Sequence, residues 1–437
     1  MNIRQAQLPQ GWEIKKLGDV LTIERGGSPR PIKKYLTDSS EGINWIKISD
    51  ATASNKYIYE TKEKITREGL HKTRMVHEGD FLLSNSMSFG RPYIMRTSGC
   101  IHDGWLVLKQ EGEKVFEIEY LYYLLSSPYL FEQFDSLAAG STVRNLNIRL
   151  VSSVEVPVPP LPEQQRIVAI LDETFSAIDK AKANAEQNLK NAKELFESYL
   201  QGVFENKGEG WEERKVKDIG FAQTGTTPKT AEKENYGDYI PFIKPADVDF
   251  LGIGDIRYDN QGLSEIGLKK GRKMESGSIL MVCIGATIGK VGFTEREVSC
   301  NQQINSLTVK KEFEPKFIYY AMTSREFQGK VLLEGKGAQA TLPIINKTKW
   351  ENLTISFPKS LKEQQIIVRQ LDALRAETQK LEAVYQKKID DLEELKKSIL
   401  QKAFAGELRS PEGVASANDG YSPSEKKTKN KISPERA

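Results

Sequence analysis

Cysteine and histidine are scarce in this sequence. Cys100, Cys283 and Cys300 are the only cysteines among 437 residues, and no two stand in a CxxC spacing, so neither a disulfide framework nor a thiolate metal site is expected. His71, His77 and His102 are the only histidines, too dispersed to make a zinc site. Long hydrophobic runs are missing as well. No stretch reaches the roughly 18 consecutive apolar residues of a membrane span, and the polar segment Met1 to Gln10 lacks the apolar core of a signal peptide. The expectation is a soluble, cytoplasmic protein with no membrane partner. Charge of one sign is not in excess either. The chain carries 63 basic and 60 acidic residues, residues 1–161 hold 20 and 19, and residues 206–360 hold 23 and 20. A nucleic-acid surface must therefore be a local patch rather than a general polycation.

Catalytic strings are also absent. Gly285-Ala286-Thr287-Ile288-Gly289-Lys290-Val291 approaches a phosphate loop, but three residues separate its glycines where four are required. Val291 stands where Ser or Thr must hold magnesium. Asp50 with Glu60-Thr61-Lys62 has the flavour of a nuclease metal site, yet the corresponding part of the second half has no counterpart. A DNA methyltransferase needs a glycine-rich cofactor loop and an Asn/Asp-Pro-Pro-aromatic motif, and neither is found. No catalytic residue, metal ligand or resident cofactor is assigned.

What the sequence does have is a repeat of about 200 residues. Pro162-Glu163-Gln164-Gln165 opens a long helical pattern containing Leu171-Asp172, and Lys362-Glu363-Gln364-Gln365 opens another containing Leu371-Asp372. Leu195, Ser198, Leu200, Gln201 and Phe204 recur as Leu395, Ser398, Leu400, Gln401 and Phe404. In the first copy Leu171, Phe175, Ile178, Lys182, Ala185, Leu189, Ala192, Phe196, Tyr199 and Val203 follow alternating steps of four and three, the seam of a coiled coil with one polar break. In the second copy the seam reads Leu374, Leu381, Tyr385, Leu392, Leu395 and Ile399, interrupted by Thr378 and Lys388. Helices of about 40 residues rise roughly 60 Å and cannot bury such a stripe alone. The two are expected to pack antiparallel on each other, the competing arrangement being that each lies on its own domain.

Each long helix is preceded by a module that begins Gly-Trp-Glu, at Gly11 and at Gly210. The turns Gly26-Gly27-Ser28-Pro29 and Thr224-Gly225-Thr226-Thr227-Pro228 read as loops between strands. The short apolar strands that follow end in Lys47 and Lys244, each with an aspartate three residues on. Frequent glycines and short strands indicate a twisted β-rich core, with helix added at 119–134 and 315–333. Basic residues fall at matching places, Lys47 and Lys244, Lys72/Arg74 and Lys270/Arg272, Arg91 and Lys290. These are candidates for contacts to DNA phosphates, with Asn145, Asn147, Gln302, Gln303 and Gln339 as candidate readers of base edges. From Ser410 onward Ser-Pro pairs and lysines replace apolar residues, the composition of a disordered tail.

The Gly-Trp opening, the Gly-rich Ser/Thr-Pro turn, the Trp/Phe-Ile-Lys strand, the helix start Pro160-Leu161-Pro162-Glu163-Gln164-Gln165 and the tandem repetition together resemble the specificity subunit of Type I restriction-modification systems. The likeness runs from residue 11 to about 408; the second copy departs from it at its helix start, Ser360-Leu361-Lys362. The resemblance implies an α+β chain: target-recognition domains at 1–160 and 206–360, long conserved helices at 161–205 and 361–408 forming an antiparallel coiled coil, and a tail at 409–437. It implies a non-catalytic reader of a bipartite, asymmetric site in double-stranded DNA that docks two modification (methyltransferase) subunits, with restriction/translocase subunits joining through them. S-adenosylmethionine, ATP and Mg would be bound by those partners. The alternatives are a standalone methyltransferase or nuclease with duplicated DNA-binding arms, and a coiled-coil scaffold without a DNA role.

Overall fold

The computed structural model describes residues 8–54, 56–85, 89–138, 145–249, 256–335 and 343–408. The tail at 409–437, the module-closing loops at 139–142 and 337–341, and Gln339 with them lie outside the described residues. The chain divides into two compact units, Met1–Asn184 with Lys388–Ala437, and Ala185–Lys387. Each unit therefore takes one β-rich module, the first half of the helix that follows it and the second half of the other long helix.

In both units the module is closed by pairing its first strand with its last. Glu13–Lys16 runs antiparallel to Glu155–Val158, and Trp211–Lys215 to Thr354–Pro358, which explains why the Gly-Trp openings and the valine- or isoleucine-rich exits recur together. Between them, among the described residues, the first unit has two five-stranded sheets, and the second has sheets of four, three and two strands. A parallel pair recurs in both: Trp45 and Ile46 lie beside Cys100 and Ile101, and Phe242 and Ile243 beside Ser299 and Cys300.

Each helical stretch of the modules is two helices rather than one. Ile118–Leu125 is followed by Pro128–Ala138, and Pro315–Thr323 by Arg325–Gly335. A serine makes each break. The Ser127 hydroxyl donates to the Leu124 carbonyl and accepts from the Leu130 N–H. Ser324 does the same with Ala321 and Phe327. A serine that satisfies backbone groups on both sides ends one helix and caps the next.

The long helices are Leu161–Glu205 and Leu361–Phe404. Their Glu-Gln-Gln starts have a physical explanation: Gln164 and Gln364 are buried. Gln164 accepts from the Glu117 N–H at 2.8 Å and donates to the carbonyls of Val115 and Pro159. Gln364 accepts from the Glu314 N–H and donates to the Pro358 carbonyl, both at 2.9 Å. Leu-Asp recurs for a related reason: Tyr123 donates to Asp172, and Tyr320 to Asp372 at 2.6 Å. Each repeated pair ties a helix to its own module.

Within each unit the two helix segments run antiparallel. In the first, Lys182 meets Glu393 at 2.6 Å, Asp179 meets Lys396 at 3.0 Å and Arg166 reaches the Leu408 carbonyl. In the second, Phe196 lies under Arg375 and Tyr199 donates to Gln370. Both segments also enter the module core. Ile167, Leu171, Phe175 and Ile178 join Leu400, Ala403 and Phe404 in the first unit, and Val368 and Leu371 join Phe196, Leu200 and Phe204 in the second.

The seam differs from the expected one in two respects. In the first helix Leu171, Phe175, Ile178, Ala185, Ala192 and Phe196 are buried and Leu189 half-buried, but Tyr199 is 41% exposed and Leu200 and Phe204 take over. Past Phe196 the steps become four and four, because the helix end turns its face to the module core. In the second helix Leu381 and Leu395 are 41% and 47% exposed, while Thr378 and Ile389 are buried. Leu374, Leu392 and Ile399 pack against the cores, half-buried, and Tyr385 is half-buried. The inward face is that of the first helix shifted by 200, and it includes Arg375, Glu382 and Lys396. Arg375 and Glu382 face each other at 3.6 Å with side chains 17% and 22% exposed. A count of apolar residues misses an inward face that is partly ionic.

Candidate nucleic-acid interface

In both units the same loops are drawn together by the same backbone hydrogen bonds. Gly26 N–H donates to the Trp105 carbonyl and Gly27 N–H to Ile101; Gly225 donates to Ile304 and Thr226 to Cys300. The glycine at the head of each turn is required by close approach. A Cβ on Gly26 would lie 2.0 Å from the His102 carbonyl oxygen, and one on Gly225 2.2 Å from that of Asn301. Asn85 and Cys283 donate to the carbonyls of Gly104 and Gln303, and accept from Leu146 and Ile345. Lys47 and Lys244 each donate their N–H to the aspartate three residues on, at 2.9 and 2.8 Å, fixing the chain where the parallel strand ends.

At the centre of this cluster sits a turn, His102-Asp103-Gly104 in the first unit and Asn301-Gln302-Gln303 in the second. It is closed in the same way in both. Gly104 N–H donates to His102 Nδ1 at 2.9 Å, and Gln303 N–H to Asn301 Oδ1 at 3.1 Å. The next residue is held by a hydroxyl from the Ser/Thr-Pro turn: Ser28 donates to Asp103 Oδ1 at 2.7 Å, and Thr227 to Gln302 Oε1. The Ser28 hydrogen bond, with the nearby charges of His102 and Arg30, holds the Asp103 carboxyl below the usual carboxylate range. Burial and Lys47 lower His102 against the pull of Asp103. In the first unit the turn opens on a shallow depression of about 710 Å³ whose lining includes Pro29, Arg30, Ile32, Trp45, Lys47, Ser49 and His102.

The eight cations read from the sequence meet different fates. Lys72 is exposed, donates to the Tyr35 hydroxyl and lies over its ring; Arg91 lies over Tyr93 and Lys244 over Phe242. Aromatic backing of this kind leaves a cation pointing outward. Arg272 donates to the Thr224 carbonyl at the head of the Ser/Thr-Pro turn. Four others are more committed. Lys47 pairs with Glu63, Arg74 with Glu24, Lys270 with Glu232 and Glu234, and Lys290 donates to the Val248 carbonyl at 2.9 Å. Lys290 also lines a recess with Lys193, Phe196, Glu197 and Arg375, beside the helices, so its position departs from that of an open phosphate contact. Asn147 is not aimed at a base edge: it caps a helix, accepting from Leu150 N–H, as Asn346 does from Lys349. Arg30, His102 and Asp103 were not singled out in the sequence, and the Ser28 turn was read only as a loop. The signal for His102 and Asp103 lay in aligning the two repeats past Cys100 and Ser299.

Two β-rich modules that build the same turn with the same hydrogen bonds, each followed by a copy of the same long helix, define a duplicated framework. The chain belongs to the family of the Type I restriction modification DNA specificity domain, whose profile matches it twice, over residues 9–190 and 208–393. Recognition of DNA is thus the chain's function. It is 24% identical to the Type I restriction enzyme MjaVIII specificity subunit of Methanocaldococcus jannaschii, over 92% of this chain and 94% of that one. The MjaIX specificity subunit of the same organism is 26% identical, over 92% and 95%. The fold is shared with a chain solved in work on complex assembly and conformational transition of the type I R-M system, with TM-score 0.74, 21% identity, and 92% and 99% coverage. It is shared too with the HsdS subunit from Thermoanaerobacter tengcongensis, with TM-score 0.57, 20% identity, and 92% and 98% coverage.

Proposed function

We propose that this chain is the reading subunit of a Type I restriction-modification complex and does no chemistry of its own. Each unit reads one half of a bipartite, asymmetric site in double-stranded DNA, and the paired helices set the gap between the halves. The single observation that carries this reading is the loop framework, built twice with the same backbone bonds but filled with different outward side chains. A repeated framework supplies the same way of lying on DNA, and different side chains ask for different bases.

The helices also serve as docking surfaces for two modification subunits, one for each copy of the repeat, with restriction subunits joining through them. S-adenosylmethionine, ATP and Mg belong to those partners, in the cytoplasm. Methylome sequencing of cells carrying this chain with its modification partner tests the reading: two dissimilar short sequences at a fixed separation are expected, and a single continuous or palindromic site would overturn it. The purified chain alone should transfer no label from S-adenosylmethionine and cut no DNA with Mg. Its DNA affinity should fall steeply with salt, as phosphate contacts demand.

A further inference from the structure

We infer that residue 103 in the first unit and residue 302 in the second are equivalent base-reading positions, Asp103 as an acceptor and Gln302 through its amide, each preset by a hydroxyl clamp. The inference rests on the DNA-reading function proposed above and names the residues that make the two half-sites differ.

The equivalence is geometric. Parallel-strand partners Trp45/Cys100 and Phe242/Ser299 fix the alignment, and three residues beyond Cys100 and Ser299 stand Asp103 and Gln302. The preceding residue closes the turn in both, and the following one receives the N–H of Asn85 or Cys283. These three surrounding features are thus the same, while the side chain at the tip changes from a carboxylate to an amide.

The clamp matters because it sets which group faces outward. Ser28 occupies Oδ1 of Asp103, so Oδ2 remains; its neighbour there is Arg30 at 3.5 Å, a side chain 83% exposed that can swing to a phosphate. An ionised carboxylate accepts only, and the major-groove donors open to it are cytosine N4 and adenine N6. Thr227 occupies Oε1 of Gln302, which leaves Nε2 as a donor for purine N7 or a carbonyl of guanine or thymine. Cations border both positions: Arg25 donates to the Asp103 carbonyl, and Arg272 to that of Thr224 in the neighbouring turn. A cation beside a preset polar group suits the division of labour in which phosphate contacts fix position and a base contact fixes identity.

The experiment exchanges the two tips in the full chain, expressed with its modification partner, as Asp103→Gln and separately Gln302→Asp. Both substitutes keep an acceptor for the clamping hydroxyl. Methylome sequencing reads the outcome. Asp103→Gln should alter the preferred base at one position of one half-site, shifting the preference there by ~5- to 150-fold. The other half-site and the separation should be retained. Gln302→Asp should alter the opposite half-site alone. Full methylation of an unchanged site in both variants would overturn the inference while leaving the reading function intact. Loss of methylation at every sequence, with melting temperature unchanged, would also overturn it, because a reading residue changes preference rather than abolishing it. If the unmodified chain directed methylation to no bipartite site, the function proposed above would fail instead.

Discussion

His102 lies between Trp45 and Trp105, with ring centroids 6.2 and 6.1 Å away, and its Nδ1 accepts the Gly104 N–H. Because burial depresses it below its ordinary 6.5, the unfolded chain takes up this proton before the folded one does. Stability from the neutral ring is therefore complete above about pH 6.5 and declines as pH falls from there through the lower folded value. Replacing His102 by Asn, which closes the same turn at position 301, should flatten that slope. Melting temperatures of both proteins across this range decide the point, and parallel curves would refute it. The glutamines at the helix starts make a second test at this scale. Gln164→Ala leaves the Glu117 N–H and the Val115 and Pro159 carbonyls without their partner, a cost of roughly 2–4 kcal/mol expected in urea unfolding of the first unit. The three thiols are buried, which pushes Cys100 up to about 11 and Cys283 and Cys300 up to about 12.

Between the helices, one contact is made twice with its members exchanged. Lys396 of the second helix lies 4.7 Å from the ring of Phe175 of the first. Two hundred residues away in register, Arg375 of the second helix lies 5.5 Å from Phe196 of the first. The first helix thus supplies both rings and the second both cations, so each helix fits the other better than it fits a copy of itself. Phe175→Lys should destabilise the first unit by about 3 kcal/mol or more, and adding Lys396→Phe should recover most of it by restoring the pair in reverse. Absence of recovery in denaturant unfolding would show that the contact is incidental. The register makes its own prediction: Ile389→Ala costs about 2–4 kcal/mol, whereas Leu381→Ala is close to neutral. The long helices and the tandem order of modules were legible because period and repetition survive in sequence, although the second helix ends at Phe404 rather than at 408. The second helix's inward face was not, since it holds the half-buried ion pair of Arg375 with Glu382 and the buried Thr378, none of them an apolar residue. Nor was the turn at Asp103, whose role depends on a Ser28 hydroxyl 75 residues away. Lys47, Arg74 and Lys270 looked like open charges because their carboxylate partners come from elsewhere in the chain.

At the scale of the whole molecule, a bipartite DNA site read by two dissimilar units predicts a gap between half-sites that follows helix length. The boundary between units falls after Asn184 in one helix and after Lys387 in the other. Lengthening only the loop at 206–210 should change little, because Phe204 already holds the helix end against Phe317 and Trp211. The most direct measurement inserts one heptad into both helices at the unit boundary, which preserves the seam and adds about 10 Å, or about three base pairs at roughly 3.4 Å each. Methylome sequencing of cells carrying this variant with the modification partner should return both original half-sites with a gap longer by about three base pairs. Methylation at the original gap, or altered half-sites with the gap unchanged, would contradict the account.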